Sequence, residues 1–152
     1  MTAPTDRYIR PAKSASAFNG AVARLTRMGI SIYGSRVLYV RGRKSGELRS
    51  QPVNPLPYQG ERYLVAPRGV TQWVRNVRAA DGAAELRLGR KAEPITAIEV
   101  DDDVKPELLR AYLRKWAWET GVFFNGLTAR SSDEELRAAA PGYPIFRVTT
   151  RG

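Results

Sequence analysis

The 152-residue chain contains no cysteine and no histidine. Those absences exclude disulfides, thiolate nucleophiles, imidazole bases and zinc sites of the usual ligand set. A proton donor has to be Tyr, Lys, Asp, Glu, Ser or water, and demanding redox chemistry requires a borrowed cofactor. No apolar run approaches the length of a membrane span, and the first residues lack the uninterrupted apolar stretch of a secretory signal. The expected location is cytoplasmic. Internal repeats and low-complexity tracts are also missing, so the expectation is one domain over residues 1–152, with a flexible leader over about residues 1–13 that carries Pro4 and Pro11.

Positive charge is what the chain has in excess, and it is regional. Residues 1–91 hold 17 Lys and Arg against 5 Asp and Glu, whereas residues 92–152 hold 8 against 10, so the net charge of +10 belongs to the first part. Such a field attracts polyanions: nucleic acid, an anionic membrane leaflet, or a phosphorylated and carboxylated cofactor.

The sharpest feature lies in that basic part. The alternating apolar run from Val37 to Arg41 enters a turn in which Arg43, Lys44 and Ser45 stand between Gly42 and Gly46, and a second extended segment returns with Arg49 and Pro52 on it. Glycines let backbone approach a ligand closely, and turn amides beside fixed cations offer an oxyanion both hydrogen bonds and charge. The turn is either an anion cradle or a solvated basic hairpin. Single-stranded nucleic acid is disfavoured as a partner, because the segment from Gly42 to Gln51 has no aromatic residue on which a base could stack.

The rest reads as a mainly β domain of the α+β class. Strands are expected over residues 36–42, 48–58, 62–66, 85–89, 91–100 and 143–149, with Pro52, Pro55 and Pro57 making the second an edge or a broken strand. Helices are expected over residues 14–27, over 71–78 with Thr71 as N-cap, over 106–120 with Pro106 in the first turn, and through Ala140 from a capping box of Ser131 and Glu134. The first helix is either a cap on the end of a barrel or a lid or membrane-facing arm carrying Lys13, Arg24 and Arg27. Together these elements make a small antiparallel barrel with peripheral helices.

Three segments in order, the turn with Arg49 and Pro52, then Tyr63 to Gly69, then Trp73-Val74-Arg75-Asn76-Val77-Arg78-Ala79, resemble the deazaflavin-dependent nitroreductase family of actinobacteria, in particular its quinone reductase branch. The resemblance covers roughly residues 33–150. It implies a split β-barrel that binds reduced coenzyme F420, whose phosphodiester and oligoglutamate tail are strongly anionic, and passes its hydride to a small apolar acceptor such as a quinone, activated alkene or nitro compound. By the same resemblance Arg43, Lys44 and Ser45 bind the phosphate with Arg49 in support, while Ala66, Pro67, Arg68 and Gly69 lie near the deazaflavin. Asn76 fixes the loop through a backbone hydrogen bond. Trp73 is either a core anchor or a ring contact, and Arg75 and Arg78 either reach the tail carboxylates or remain ordinary solvated helix residues. Many relatives carry a His-Pro pair where this chain has Thr71-Gln72. FMN is the alternative cofactor, and the expected assembly is a monomer or dimer, with peripheral membrane contact through the first helix as a further expectation.

For the acceptor the residues suggest an aromatic pocket made of Trp116, Trp118, Phe123 and Phe124, with Tyr112 and then Tyr33 as candidate proton donors or oxyanion partners. Tyr112 also shares a helical face with Leu109, Leu113 and Trp116, which is a core pattern. The segment from Gly121 to Gly126 is either a lid or a hydrophobic plug.

Overall fold

A computed structural model describes residues 7–8 and 35–151. Apart from Arg7 and Tyr8, the proposed leader lies outside the described residues, as do the proposed helix over residues 14–27 and Tyr33. Seven strands form one sheet in the order β2-β1-β5-β6-β7-β4-β3: β1 is Arg36–Arg41, β2 Leu48–Val53, β3 Leu56–Tyr58, β4 Glu61–Val65, β5 Ala83–Leu88, β6 Lys91–Glu99 and β7 Ile145–Thr150. All neighbours are antiparallel. Among the described residues three α-helices accompany them, α1 at Gln72–Ala79, α2 at Lys105–Thr120 and α3 at Asp133–Ala139.

The expected strand over residues 48–58 is in fact two strands at opposite edges of the sheet. Proline cannot donate to a ladder, and Pro52 and Pro57 are accordingly confined to β2 and β3, which have a neighbour on one side only. This break shapes the whole sheet. Val53 and Leu56 are three residues apart and so lie within about 11 Å, whereas edges of a flat seven-stranded sheet are separated by roughly 29 Å at about 4.8 Å per strand. The sheet must therefore curl until its edges meet, which gives the split barrel.

Because side chains alternate along a strand, the curled sheet has two apolar faces. In β4 and β7, Leu64 and Phe146 belong to a first core while their neighbours Val65 and Ile145 belong to a second. The first core takes Leu38 and Val40 from β1, Leu86 from β5, and the apolar face of α1 through Trp73, Val74 and Val77. The second is built on α2 and α3 with Leu109, Tyr112, Leu113, Trp116 and Leu136.

Helix ends follow the sequence with one shift of frame. The capping box forms from Ser132 and Glu135, not from Ser131 and Glu134: the Ser132 hydroxyl accepts the Glu135 N–H at 3.1 Å, and the Glu135 carboxylate accepts the Ser132 N–H at 3.0 Å. Two overlapping Ser-x-x-Glu frames compete here. Ser131 is used instead to close the preceding turn, its hydroxyl accepting the Thr128 N–H at 2.9 Å. Thr71 does hold the N-cap position of α1, but its hydroxyl makes no capping bond. Pro106 sits in the first turn of α2, and Lys105 is buried beside it, paired with Asp102 at 2.7 Å and donating to the Ala140 carbonyl.

Candidate functional site

The β1–β2 turn is tight because Gly42 donates to the Glu47 carbonyl at 2.8 Å and Gly46 donates back to the Gly42 carbonyl at 2.9 Å. A Cβ on Gly42 would lie 3.1 Å from the Ser45 hydroxyl oxygen and 3.4 Å from the Glu47 carbonyl oxygen, so the turn leaves little room for a side chain there. Ser45 accepts the Glu47 N–H at 3.1 Å.

Helix α1 anchors this turn from the side. Asn76 is buried, and its side-chain oxygen accepts both the Arg43 backbone N–H at 3.1 Å and the Arg43 guanidinium at 2.9 Å. Between turn and helix lies a groove of about 420 Å³, lined by Gly42, Arg43, Lys44, Ser45, Arg49, Ser50, Gln51, Gln72, Trp73 and Asn76 among others. Arg43 and Lys44 make no ion pair with a carboxylate among the described residues, and Arg49 has only the exposed Glu47 at 3.4 Å. The groove thus combines available cations with one apolar wall, where Trp73 packs against Phe146 at 5.8 Å between ring centroids.

Three other arginines in the basic part are already committed. Arg78 forms a two-pronged pair with Glu99 at 2.9 and 2.6 Å, which raises its pKa further and holds it away from a ligand's carboxylates. Arg62 pairs with Glu93, whose carboxyl is held below its ordinary range by that guanidinium. Arg87 pairs with Glu85 and lies 3.9 Å from the Tyr39 ring centroid. Arg75 is exposed on α1 and does not line the groove, and Pro52 is half-buried on the edge strand beside it. A second groove, of about 280 Å³ on the α2–α3 side, sets Arg110, Arg114 and Arg137 against Asp103, Glu107 and Asp133. Its charges cancel, and Arg110 is spent on Asp133 and the Ala129 carbonyl.

The β4–α1 loop, residues 66–71, is built by Ala66 donating to the Pro144 carbonyl at 2.9 Å and Gly69 donating to the Ala66 carbonyl at 3.1 Å. Ala66, Pro67, Arg68 and Gly69 do not line the main groove. Gly69 was expected to admit a ligand, and in the structure its open face is turned to the carbonyl of Arg7.

The structure places most of the aromatics proposed for the acceptor pocket in or against the second core. Tyr112, Trp116 and Phe124 are completely buried in the second core, on the other face of the sheet from the groove's Trp73. Phe124 stacks on Tyr143 at 4.6 Å and lies 5.8 Å from Tyr112, so the turn after α2 is a plug. Burial drives the Tyr112 pKa far above that of an ordinary phenol, and its hydroxyl meets Thr120 at 3.5 Å. Neither change suits a proton donor to a ligand in the groove. Trp118 is 56% exposed on the outer side of α2, and Phe123 is half-buried with its carbonyl taken by Arg7 and Tyr143.

Two parts of the site escaped the sequence reading. Ser50, Gln51 and Gln72 line the groove, and their signal was position alone, next to the turn and at the start of α1. Arg7 ties together three distant carbonyls, which no local pattern announces. Among the described residues no helix is long and apolar enough to cross a membrane, and no group of three or more Asp and Glu is placed to hold a metal ion.

The family model described as F420H(2)-dependent quinone reductase matches residues 13–121. No curated protein matches the chain. Among solved structures, one described as a domain-swapped dimer is 19% identical with a TM-score of 0.54, covering 90% of this chain and 96% of that one. Protein Atu2129 from Agrobacterium tumefaciens, of unknown function, is 17% identical with a TM-score of 0.55, covering 99% and 60%. A structure of an F420-H2 dependent reductase, FDR-A, is 20% identical with a TM-score of 0.49, covering 76% and 94%.

Proposed function

Because the chain belongs to the F420H(2)-dependent quinone reductase family and so is an F420-dependent oxidoreductase, we propose that the groove beside the β1–β2 turn holds the anionic part of the coenzyme. The single observation that carries this reading is the pair Arg43 and Lys44, the groove cations without a carboxylate partner among the described residues, on a turn locked in place by Asn76. A phosphodiester and a string of glutamates fit such a site by charge, and the fixed turn spares the cost of ordering the donors on binding.

Residue roles follow from position. Arg43, Lys44 and Ser45 hold the phosphate, Arg49 supports them from β2, and Trp73 supplies the apolar wall toward which the ring system extends. When bound, reduced F420 supplies a hydride. The protein's share is to orient the two reactants and keep water out. We take the acceptor to be a quinone, which becomes a quinol by accepting a hydride and a proton, both carried by the reduced coenzyme. Activated alkenes and nitro compounds are electron-poor in the same sense and are further acceptors to screen. FMN lacks the polyglutamate tail and would leave much of the groove's charge unused.

The test is spectrophotometric. Protein with reduced F420 should regain the absorbance of the oxidised deazaflavin when menadione is added, at a rate proportional to protein concentration. Binding of the coenzyme with no such oxidation by any quinone would reduce the protein to a carrier.

A further inference from the structure

A carboxylate stands beside the cationic groove without lining it. Glu47 ends the β1–β2 turn, and both of its backbone polar groups are used there: its N–H is donated to the Ser45 hydroxyl at 3.1 Å, and its carbonyl accepts the Gly42 N–H at 2.8 Å. The backbone that carries its side chain is therefore fixed. The carboxylate meets Arg49 Nη2 at 3.4 Å, and no other carboxylate among the described residues pairs with Arg49.

Arg49 is engaged by Glu47 without being saturated. Its register partner on β1 is Val40, a residue of the first core, so its side chain leaves the strand on the groove side. Its Nε lies 3.5 Å from the place that a Cβ on Gly42 would take, and the Ser45 hydroxyl oxygen lies 3.1 Å from that same place. Nε and Nη2 are the two prongs of one fork, which a single oxyanion can fill from both sides. Arg78 shows the filled case, with Nε and Nη2 on the two oxygens of Glu99 at 2.9 and 2.6 Å. In Arg49 only Nη2 is met, at a distance beyond the usual charge-assisted bond of about 2.7–2.9 Å. The two side chains are 59% and 71% exposed, which makes the pair weak and easily exchanged.

We propose that Glu47 is an internal competitor of the coenzyme: its carboxylate holds Arg49 while the groove is empty, yields it to the anionic part of the coenzyme, and takes it back on release. This rests on the F420 reading above and gives that site its exchange rate. An anion that engages Arg49 has to break the pair with Glu47 first, and once bound it stays close to a like charge. Affinity is therefore lower, and release faster, than the groove's cations alone would give. Faster release lets spent coenzyme make way for reduced coenzyme.

The experiment is a double-mutant cycle on the full chain, read by fluorescence titration with F420 of wild type, Glu47→Gln, Arg49→Ala and the two changes combined. Glu47→Gln keeps the backbone bonds of the turn and should bind F420 about twofold to fivefold more tightly, the span of an exposed pair, with release slowed by a similar factor in stopped flow. Most of that gain should disappear when Arg49 is absent. Unchanged affinity in Glu47→Gln overturns the proposal, and so does a gain of equal size with and without Arg49, which would be a general effect of charge. A second readout needs no coenzyme: the Arg49 Nε–H signal in a nitrogen-edited NMR spectrum should move in Glu47→Gln, and a signal that stays in place overturns the pair. Wild type that binds no F420 would fell the coenzyme reading and the proposal with it, a result distinct from wild type that binds F420 as tightly as Glu47→Gln.

Discussion

The two halves of the molecule use their chemically rich residues in opposite ways. Around the β1–β2 turn, cations stand in a groove with few partners among the described residues: Arg43 meets Asn76 alone, and Lys44 lines the groove wall. Across the sheet, most of the aromatic residues of α2 and its following turn are consumed by packing, with Tyr112, Trp116, Phe124 and Tyr143 in one buried cluster and Trp118 left exposed. Residue types that suggest a site mark one only where the fold leaves them unsatisfied. By that criterion the basic turn is the stronger candidate.

The largest expected effect breaks the second half. Trp116→Ala removes a fully buried ring and should cost about 3–5 kcal/mol, read as a large drop in the denaturant midpoint. Asn76→Ala should cost about 1–3 kcal/mol, because the Arg43 N–H loses its buried partner. It should also loosen the turn, so that coenzyme affinity falls.

Smaller effects sharpen the contrast. Tyr112→Phe should change stability by about 1 kcal/mol or less, since the hydroxyl's contact with Thr120 is long at 3.5 Å, and should leave the quinone reductase rate unaltered. A large loss of kcat with intact folding would return Tyr112 to the catalytic machinery. The smallest effect concerns pH. Burial raises the Glu119 pKa in the folded state, partly offset by the Asn54 amide. A carboxyl with a raised folded pKa favours the folded state at low pH and loses that advantage as pH rises from the unfolded to the folded value. Glu119→Gln should therefore leave stability little changed at low pH and raise it slightly at neutral pH, steepening the acid limb of the stability curve.

Periodic and local features of this fold were legible in the sequence. Helical spacing of Leu109, Tyr112, Leu113 and Trp116 predicts one buried face, and all four are buried in the second core. Three prolines foretold an edge or a break, and both occur. What local pattern cannot carry is the partner. Arg78 on α1 and Arg43 on the turn look equally available, but Arg78 meets Glu99 across 21 residues and Arg43 meets only an amide across 33. The tie made by Arg7 spans 60, 116 and 135 residues to its three carbonyls. The burial of Tyr112 shows the same limit: amphipathic spacing says that a face is covered without saying whether protein or ligand covers it.

The central claim is that the cations of the β1–β2 turn bind the coenzyme, and fluorescence titration with F420 tests it most directly. Wild-type protein and Arg43→Ala/Lys44→Ala are compared at two salt concentrations, with thermal melts of both. Expected are saturable binding by the wild type that weakens with salt, an unchanged melting temperature in the double variant, and an affinity lower by about a hundredfold or more, at the scale of about 1.5–3 kcal/mol for each of the charge-assisted bonds lost. Equal affinity in the two proteins would contradict it and place the coenzyme elsewhere on the barrel.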